Sequence, residues 1–529
     1  MSLLAMLICV APFCLAFALV IPSAWANHHA DLMRRLCQAS VAGVGAFLML
    51  ASLGLLFQSN ITGSWSLTGS HGPLRISVYY DVISALMALL IGYIGWIISR
   101  FSGSYLDRDS RAGQFDKWLM VCLGAILGLV VSGNLIQLFV FWILTTFALH
   151  QLLMHNADRP WAVWTARKKF LISRLGDVFL GIAIYLVYQV WGTGELSELL
   201  AKFKEGAPAL FDDSRVGVIC ILLVLSALTK SAQFPFHSWL PDTLETPTPV
   251  SALMHAGIIN GGGFLLIRLS PLVSQSSAAL ALCTIIGGVT CLLGGIIMST
   301  QSSIKRKLAY STMSQMGFMM MQCGLGAFSI ALIHIISHSL YKSHAFLRSG
   351  SAVTAPGLSH SPISWQKRLL TTGVGLVSAS IIIVMVAFLM GVDGTPSMAE
   401  MLLGLVTLVA LTHLISEAIS SGSPRLALIG MTASTLIVAI YFLSHAALDG
   451  LTRDVLAHDS VGTSLSSQIV IGIVAIGFVS LGIIEIAKDH LANSRILQLL
   501  YVHAVNGFYF DIAARRLTAL LWARSAPTP

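Results

Sequence analysis

This sequence has little charge. Asp, Glu, Lys and Arg make up only 10% of its 529 residues, against 56% hydrophobic, and the mean hydropathy is +0.82. So little charge leaves no stretch for a sizeable soluble domain. It also excludes the basic solvent-facing surface that a nucleic-acid reader needs, although the formal net charge is +8. The eight cysteines (Cys9, Cys14, Cys37, Cys122, Cys220, Cys283, Cys291 and Cys323) lack any C-x-x-C, haem or iron–sulfur spacing. They read as small core residues in a chain with no redox centre of its own. There is no P-loop, no G-x-S-x-G and no H-E-x-x-H, so nucleotide-driven, serine-hydrolase and zinc-protease chemistry find no support.

What is present is a succession of apolar runs of about 17–25 residues, each long enough to cross a hydrocarbon core of roughly 30 Å. Fifteen spans are expected, at approximately 3–21, 36–57, 78–99, 117–133, 134–153, 168–192, 216–235, 248–270, 278–300, 304–326, 328–350, 368–391, 400–421, 425–447 and 467–489. The fold class is therefore an all-α polytopic membrane protein. The sequence divides into N-terminal helices (1–110), a core (111–350), C-terminal transmembrane helices (351–490) and a basic amphipathic tail (491–529) that lies at an interface. Ala24-Trp25-Ala26 imitates a cleavage site, but the positively charged n-region of a signal peptide is missing, so the first run is expected to be retained as a span. Most of the 31 Lys and Arg fall in the odd-numbered connections and the tail. The positive-inside rule then puts the N-terminus outside and the tail in the cytoplasm, which in a bacterial inner membrane would make the N-terminus periplasmic.

Against this apolar background the intramembrane charges stand out. A charged residue in lipid costs about 2.5–3.5 kcal/mol on insertion scales, and such residues usually face a bundle interior or a water-filled path. Lys230 closes the seventh run well inside its limits, and Pro235, His237, Pro247 and Pro249 interrupt the next stretch before His255 appears in the eighth run. A broken hydrophobic segment beside a titratable group is how transporters build an ion site. In the sixth span, Arg174 and Asp177 sit three apart on one helix face. They are either a self-neutralising structural pair or a charge reservoir that tunes the lysine. In the eleventh, His334, His338 and Lys342 recur every four residues and form one polar stripe, as a proton relay would. His334 and His338 also have metal-ligand spacing, but no third ligand accompanies them. Lys305-Arg306-Lys307 reads as a solvated loop that fixes topology.

The stretch KSAQFPFHSWLPDTLETPTPVSALMHAGII, the run IKRKLAYSTMSQMGF and the His334/His338 span resemble the antiporter-like subunits of respiratory complex I and of Mrp antiporters, over about residues 75–350. The resemblance implies inverted five-helix repeats, each built around a broken helix with a buried lysine. Lys230 would be the central protonatable lysine of the first repeat. His255, His334, His338 and Lys342 would continue the polar axis, and Arg174 with Asp177 would be the sixth-span charge pair. Two departures matter. In FVFWILTTF, Ile143 stands where that family carries a glutamate, and 381–400 holds no counterpart of the second-repeat lysine. Asp177 is then the nearest candidate to act on Lys230, with Glu417 or Asp393 next.

Those absences, and the ending LYVHAVNGFYFDIAARRLTALLW, resemble one branch of the family, the DabB membrane subunits of DabA–DabB inorganic-carbon accumulation complexes. That implies H⁺ or Na⁺ movement through this chain, with no catalysis and no cofactor of its own. The partner would be a DabA-like zinc protein on the cytoplasmic face, where CO₂ would be hydrated. The alternatives are a proton-pumping subunit of a complex I-like or hydrogenase complex, and a transport-dead membrane anchor.

Overall fold

The computed structural model describes residues 3–522 apart from 67–74, 206–212, 351–363, 393–395, 453–454, 457–464 and 488–493. Eleven described helices are long and apolar enough to cross a membrane. In the first part of the chain they are α1 (Leu3–Ala16, extended by a 3-10 turn to Val20), α2 (Ala30–Ser52), α3 (Val82–Tyr105), α4 (Ala112–Val131), α5 (Leu135–Leu153) and α6 (Pro160–Trp191). After α7 (Arg215–Lys230) come α8 (Thr248–Ala256) and α9 (Gly261–Arg268), which together make one such span, and α10 (Ser277–Thr300). Two more helices follow, α11 (Ile304–Gly324) and α12 (Phe328–Leu347), then the apolar α13 (Trp365–Leu389), α14 (Met398–Ser420) and α15 (Pro424–Thr452). The chain ends with α16 (Leu465–Ala487) and the tail helices α17 (Arg495–Val505) and α18 (Asp511–Leu521). Of the helices outside the eleven that match expected spans, α7 is short, α11 and α12 are more polar, and α16 is apolar over Gln468–Ile484. Lys230 lies on the first of these, the Lys305-Arg306-Lys307 run on the second and the histidine stripe on the third.

The helices start where sequence chemistry allows. Asp81 accepts from the Ser84 amide at 2.9 Å to cap α3, Asn134 accepts from the Gln137 amide at 2.7 Å to cap α5, and Ser397 with Glu400 forms a capping box at α14. One departure from an all-helical chain is an antiparallel hairpin, β1 (Asn60–Ser66) with β2 (Arg75–Asp81), in register Asn60↔Asp81 to Ser66↔Arg75. The third span therefore begins at Val82 and not at 78, because residues 75–81 pair as a strand.

The α4 helix lies at the centre of the core, buried on nearly every side among α1, α2, α3 and α5. With lipid outside, close packing of small residues does much of what the hydrophobic effect does in water. At Gly287 and Gly317 the backbones of α10 and α11 nearly touch: a Cβ on Gly287 would sit 2.5 Å from the Met321 nitrogen. Arg268, near the end of the expected eighth span, is fully buried. Its guanidinium grips both Asp81 oxygens at 2.6 and 2.9 Å and the Ser84 hydroxyl at 2.6 Å, tying α9 to the start of α3.

The seventh and eighth spans depart from the expected continuous runs. Helix α7 ends at Lys230, so that residue is terminal in its helix and not well inside it. Pro235 does not kink a helix; it lies in the irregular segment between Ser231 and Pro247. Ala232 there is buried with a left-handed φ of +49°, a conformation that costs a residue with a Cβ roughly 1–2 kcal/mol. The freed backbone groups find protein partners: the Phe234 amide donates to Thr290 Oγ1 at 3.0 Å, and the Ser231 hydroxyl to the Ile259 carbonyl at 2.7 Å. Pro247 precedes α8 and Pro249 sits in its first turn, where no amide hydrogen is needed. The eighth span is itself interrupted at Gly257.

Candidate functional site

Lys230 projects from the end of α7 onto α5. Its Nζ donates to Thr145 Oγ1 at 2.6 Å, to the Trp142 carbonyl at 3.2 Å and weakly to Thr146 Oγ1 at 3.4 Å, and it lies 4.3 Å from the centre of the Trp142 ring. Neutral oxygens and a π face thus hold the ammonium, on the same turn of α5 as Ile143, where the family pattern would put a carboxylate. A cavity of about 10 Å³, the size of a single water centre, is lined by Lys230, Thr145, Gly257, Ile258 and Gly261. It joins the lysine to the break in the eighth span.

Helix α6 supplies the neighbouring charges. Gly176 lets α6 pack directly on α7, because a Cβ there would overlap the Thr229 hydroxyl, and this contact brings Asp177 and Lys230 together. Arg174 pairs with Asp177 at 2.8 Å, and Asp177 also acts electrostatically on Lys230 and on Lys169. By its place in the sequence Lys169 belongs to a span margin. In the fold it is 3% exposed, and its Nζ donates to the Thr146 carbonyl at 3.3 Å, on the same turn of α5 that holds Lys230. Sequence reasoning misses it because α6 begins at Pro160, eight residues before the apolar run does. The site therefore gathers Lys230, Lys169 and Arg174 around the carboxylate of Asp177.

The polar stripe on α12 has its partners on α11 and α8. His338 lies 2.7 Å from the Gln315 side-chain amide, and its Nε2 donates to the His255 carbonyl at 3.2 Å. His334 meets Gln322 at 3.1 Å, while Lys342 donates to Ser311 Oγ at 2.8 Å and to the Leu308 carbonyl at 3.3 Å. The His255 ring stacks on Phe346 with centroids 4.2 Å apart. The structure thus lines His334, His338 and Lys342 along α12, with the two imidazole centres 6.1 Å apart and each side chain bonded to its own partner on α11, and it sets the backbone carbonyl of His255 against His338. Gln315, Gln322 and Ser311 are additions that the polar run in α11 signals without disclosing which way it faces. Among the described residues no three His, Cys, Asp or Glu side chains converge as metal ligands.

The tail closes one face of this assembly. Lys168, buried next to Lys169, donates to Asp242 Oδ2 and to Asp511 Oδ1, each at 2.5 Å, and to the Ser238 carbonyl at 3.1 Å. Phe510 packs edge-on against Phe234 at 4.5 Å, with His237 beside both. Lys305, Arg306 and Lys307 form no loop; they belong to the first turn of α11, and Lys305 reaches the Thr246 carbonyl at 3.4 Å. Glu417 is exposed on α14, away from Lys230, and Asp393 lies outside the described residues.

The model of the NADH:quinone oxidoreductase/Mrp antiporter transmembrane family matches residues 132–437, from α5 to α15. The chain is 34% identical over 517 residues to a protein of Halothiobacillus neapolitanus described as probable inorganic carbon transporter subunit DabB2, covering 96% of this chain and 92% of that one. It is 31% identical over 527 residues to a probable inorganic carbon transporter subunit DabB of Hydrogenovibrio crunogenus, covering 92% and 96%. A chloroplast NAD(P)H-quinone oxidoreductase subunit 5 from Lemna minor is 36% identical over 347 residues, but these span 62% of this chain and 46% of that protein. Among solved structures, the Mrp complex from Dietzia sp. DQ12-45-1b superposes on 96% of this chain and 59% of its own, with a TM-score of 0.65 at 24% identity, which shows a shared fold. Antiporter-like helical architecture, the broken seventh span and near full-length similarity together mark this chain as an integral membrane protein of the NADH:quinone oxidoreductase/Mrp antiporter family, within its DabB group of inorganic carbon transporter subunits.

Proposed function

We propose that this chain moves a cation, H⁺ or Na⁺, past Lys230 and thereby energises inorganic-carbon uptake by a zinc-bearing partner. The observation that carries the reading is the site itself: a lysine ammonium held by neutral oxygens at a helix break, beside two further cations and one carboxylate. Protonation changes at Lys230 would then be coupled to the state of Asp177, Arg174 and Lys169, and the His255–His338–His334 chain with Lys342 would carry the charge onward. Fifteen crossings, built from the eleven apolar spans plus α7, α11, α12 and α16, fit this scheme, with inverted repeats around the break. In that topology the tail faces the cytoplasm of a bacterial inner membrane, and the zinc partner docks there.

Hydration of CO₂ alone runs to equilibrium, so accumulation beyond it needs a free-energy source, and ion flow is the one this chain offers. Co-expression with the partner should restore growth in air to cells lacking carbonic anhydrase, and an uncoupler should abolish bicarbonate accumulation. Rescue by the partner alone, or accumulation that survives collapse of both H⁺ and Na⁺ gradients, would refute the proposal. Co-purification with quinone-reducing subunits would replace it with a redox-driven pump.

A further inference from the structure

Where the tail meets the irregular 231–247 segment and the start of α11 there is a polar cavity of about 250 Å³. At roughly 30 Å³ per liquid water it has room for a small ion and several waters. His237, Asp242, Arg306, Tyr310, Asn506 and Arg515 are among its lining residues. None of these belongs to the Lys230 cluster or to the histidine chain.

Its charges are unevenly satisfied. Both carboxylates are engaged: Lys168 holds Asp242 and Asp511, and Arg515 pairs with Asp511 as well. A metal cation entering here would meet acids that already have counter-ions. The donors are in the opposite state. Arg306 has no ion pair among the described residues, and its Nε is buried without a hydrogen-bond partner. His237 is 4% exposed, and its Nδ1 is likewise buried and unpartnered. The Tyr310 hydroxyl lies at the tail turn, where a Cβ on Gly507 would come within 3.2 Å of it. Buried polar groups in folded proteins are normally satisfied, and an oxyanion would satisfy both of these, Arg306 Nε as it stands and His237 Nδ1 in the tautomer that carries its proton there. Guanidinium is suited to oxyanions because its planar donors match their oxygens.

We infer that this cavity binds a small oxyanion, held by Arg306 with His237 and Tyr310, between the broken segment and the C-terminal tail. Two sources share that chemistry: dissolved bicarbonate, and the phosphate of an anionic lipid head group reaching in beside the amphipathic tail. The site does not depend on the carbon-uptake reading, although bicarbonate would connect the two.

The test uses the purified, delipidated full-length chain in neutral detergent. Thermal unfolding is followed as sodium chloride is replaced by sodium bicarbonate or sodium phosphate at constant ionic strength. A saturable rise in midpoint is expected with at least one oxyanion. Arg306→Gln should weaken the apparent affinity at least about tenfold, as loss of a charge-assisted bond implies. The same rise should persist in Arg425→Gln, an arginine outside the cavity. Loss of the bicarbonate response on adding phosphatidylglycerol micelles would identify the lipid head group as the occupant, and its persistence would identify the dissolved ion. Identical curves in chloride, bicarbonate and phosphate would overturn the inference, as would unchanged affinity in Arg306→Gln. If that variant cannot be purified, Tyr310→Phe and His237→Asn carry the test, and wild-type affinity in both overturns it. None of these readouts involves transport, so failure here is distinct from failure of the proposed function.

Discussion

Replacing Lys168 by Met should undock the tail. Lys168 is 1% exposed and bridges α6, the broken segment and α18 through 2.5 Å contacts to Asp242 and Asp511. Methionine keeps the side-chain length but leaves two carboxylates facing each other with Arg515 as their remaining cation. Removing one partner of a buried ion pair costs about 3–5 kcal/mol. The Asp511 side chain is 26% exposed, so solvent screens part of that, and about 2–3 kcal/mol is the fair share for tail docking. At 1.36 kcal/mol per decade this multiplies the undocked population roughly 30- to 150-fold. Hydrogen–deuterium exchange of the protein in lipid nanodiscs reads that population directly. Protection of residues 495–521 should fall by this factor while α3 and α4 stay unchanged. Asp511→Asn, which keeps the Lys168–Asp242 pair, should open the tail less. Wild-type protection of the tail in Lys168→Met would refute the reasoning, since the aromatic contact of Phe510 with Phe234 would then suffice by itself.

Lys230→Ala should abolish gradient-driven transport without preventing membrane insertion, and Lys230→Arg should fail too, because guanidinium stays protonated; normal carbon accumulation in either would remove this lysine from the mechanism. Asp177→Asn should impair transport about as severely, and full activity would show that the coupling acid lies elsewhere. Arg268→Met strands the buried Asp81 carboxylate and should cost about 3–5 kcal/mol, seen as a lower unfolding midpoint in detergent; a midpoint equal to wild type would mean that water reaches Asp81. At the corner between α3 and α4, burial raises the Asp109 carboxyl, but hydrogen bonds from His155 and the Arg111 amide outweigh this and hold it below its ordinary value of 3.8. A carboxyl held low contributes stability that is complete above that value and lost as the pH falls below it. Wild type should therefore lose its advantage over Asp109→Asn below about pH 4, and a constant difference in midpoint across acid pH would count against the pairing.

The apolar run lengths determined by themselves that this chain is a bundle of membrane helices, because only segments of that length and composition can satisfy their backbones in lipid. The prolines and charges between Lys230 and His255 likewise announced a break with a titratable group beside it, since no continuous apolar helix would carry them. The motifs there also pointed to the family. Tertiary structure decided what surrounds those residues. Whether a lysine near a helix end faces water or the bundle depends on helix rotation and on where the helix starts; this is why Lys168 and Lys169 read as marginal charges and prove to be buried. Hydropathy could not foresee that a threonine hydroxyl and a backbone carbonyl would hold Lys230 in place of a carboxylate, because backbone oxygens leave no mark in a sequence. Arg268 meets Asp81 across 187 residues, and Lys168 meets Asp511 across 343. Those pairings exist only because the folded helices bring distant charges out of water together, where neither could remain alone.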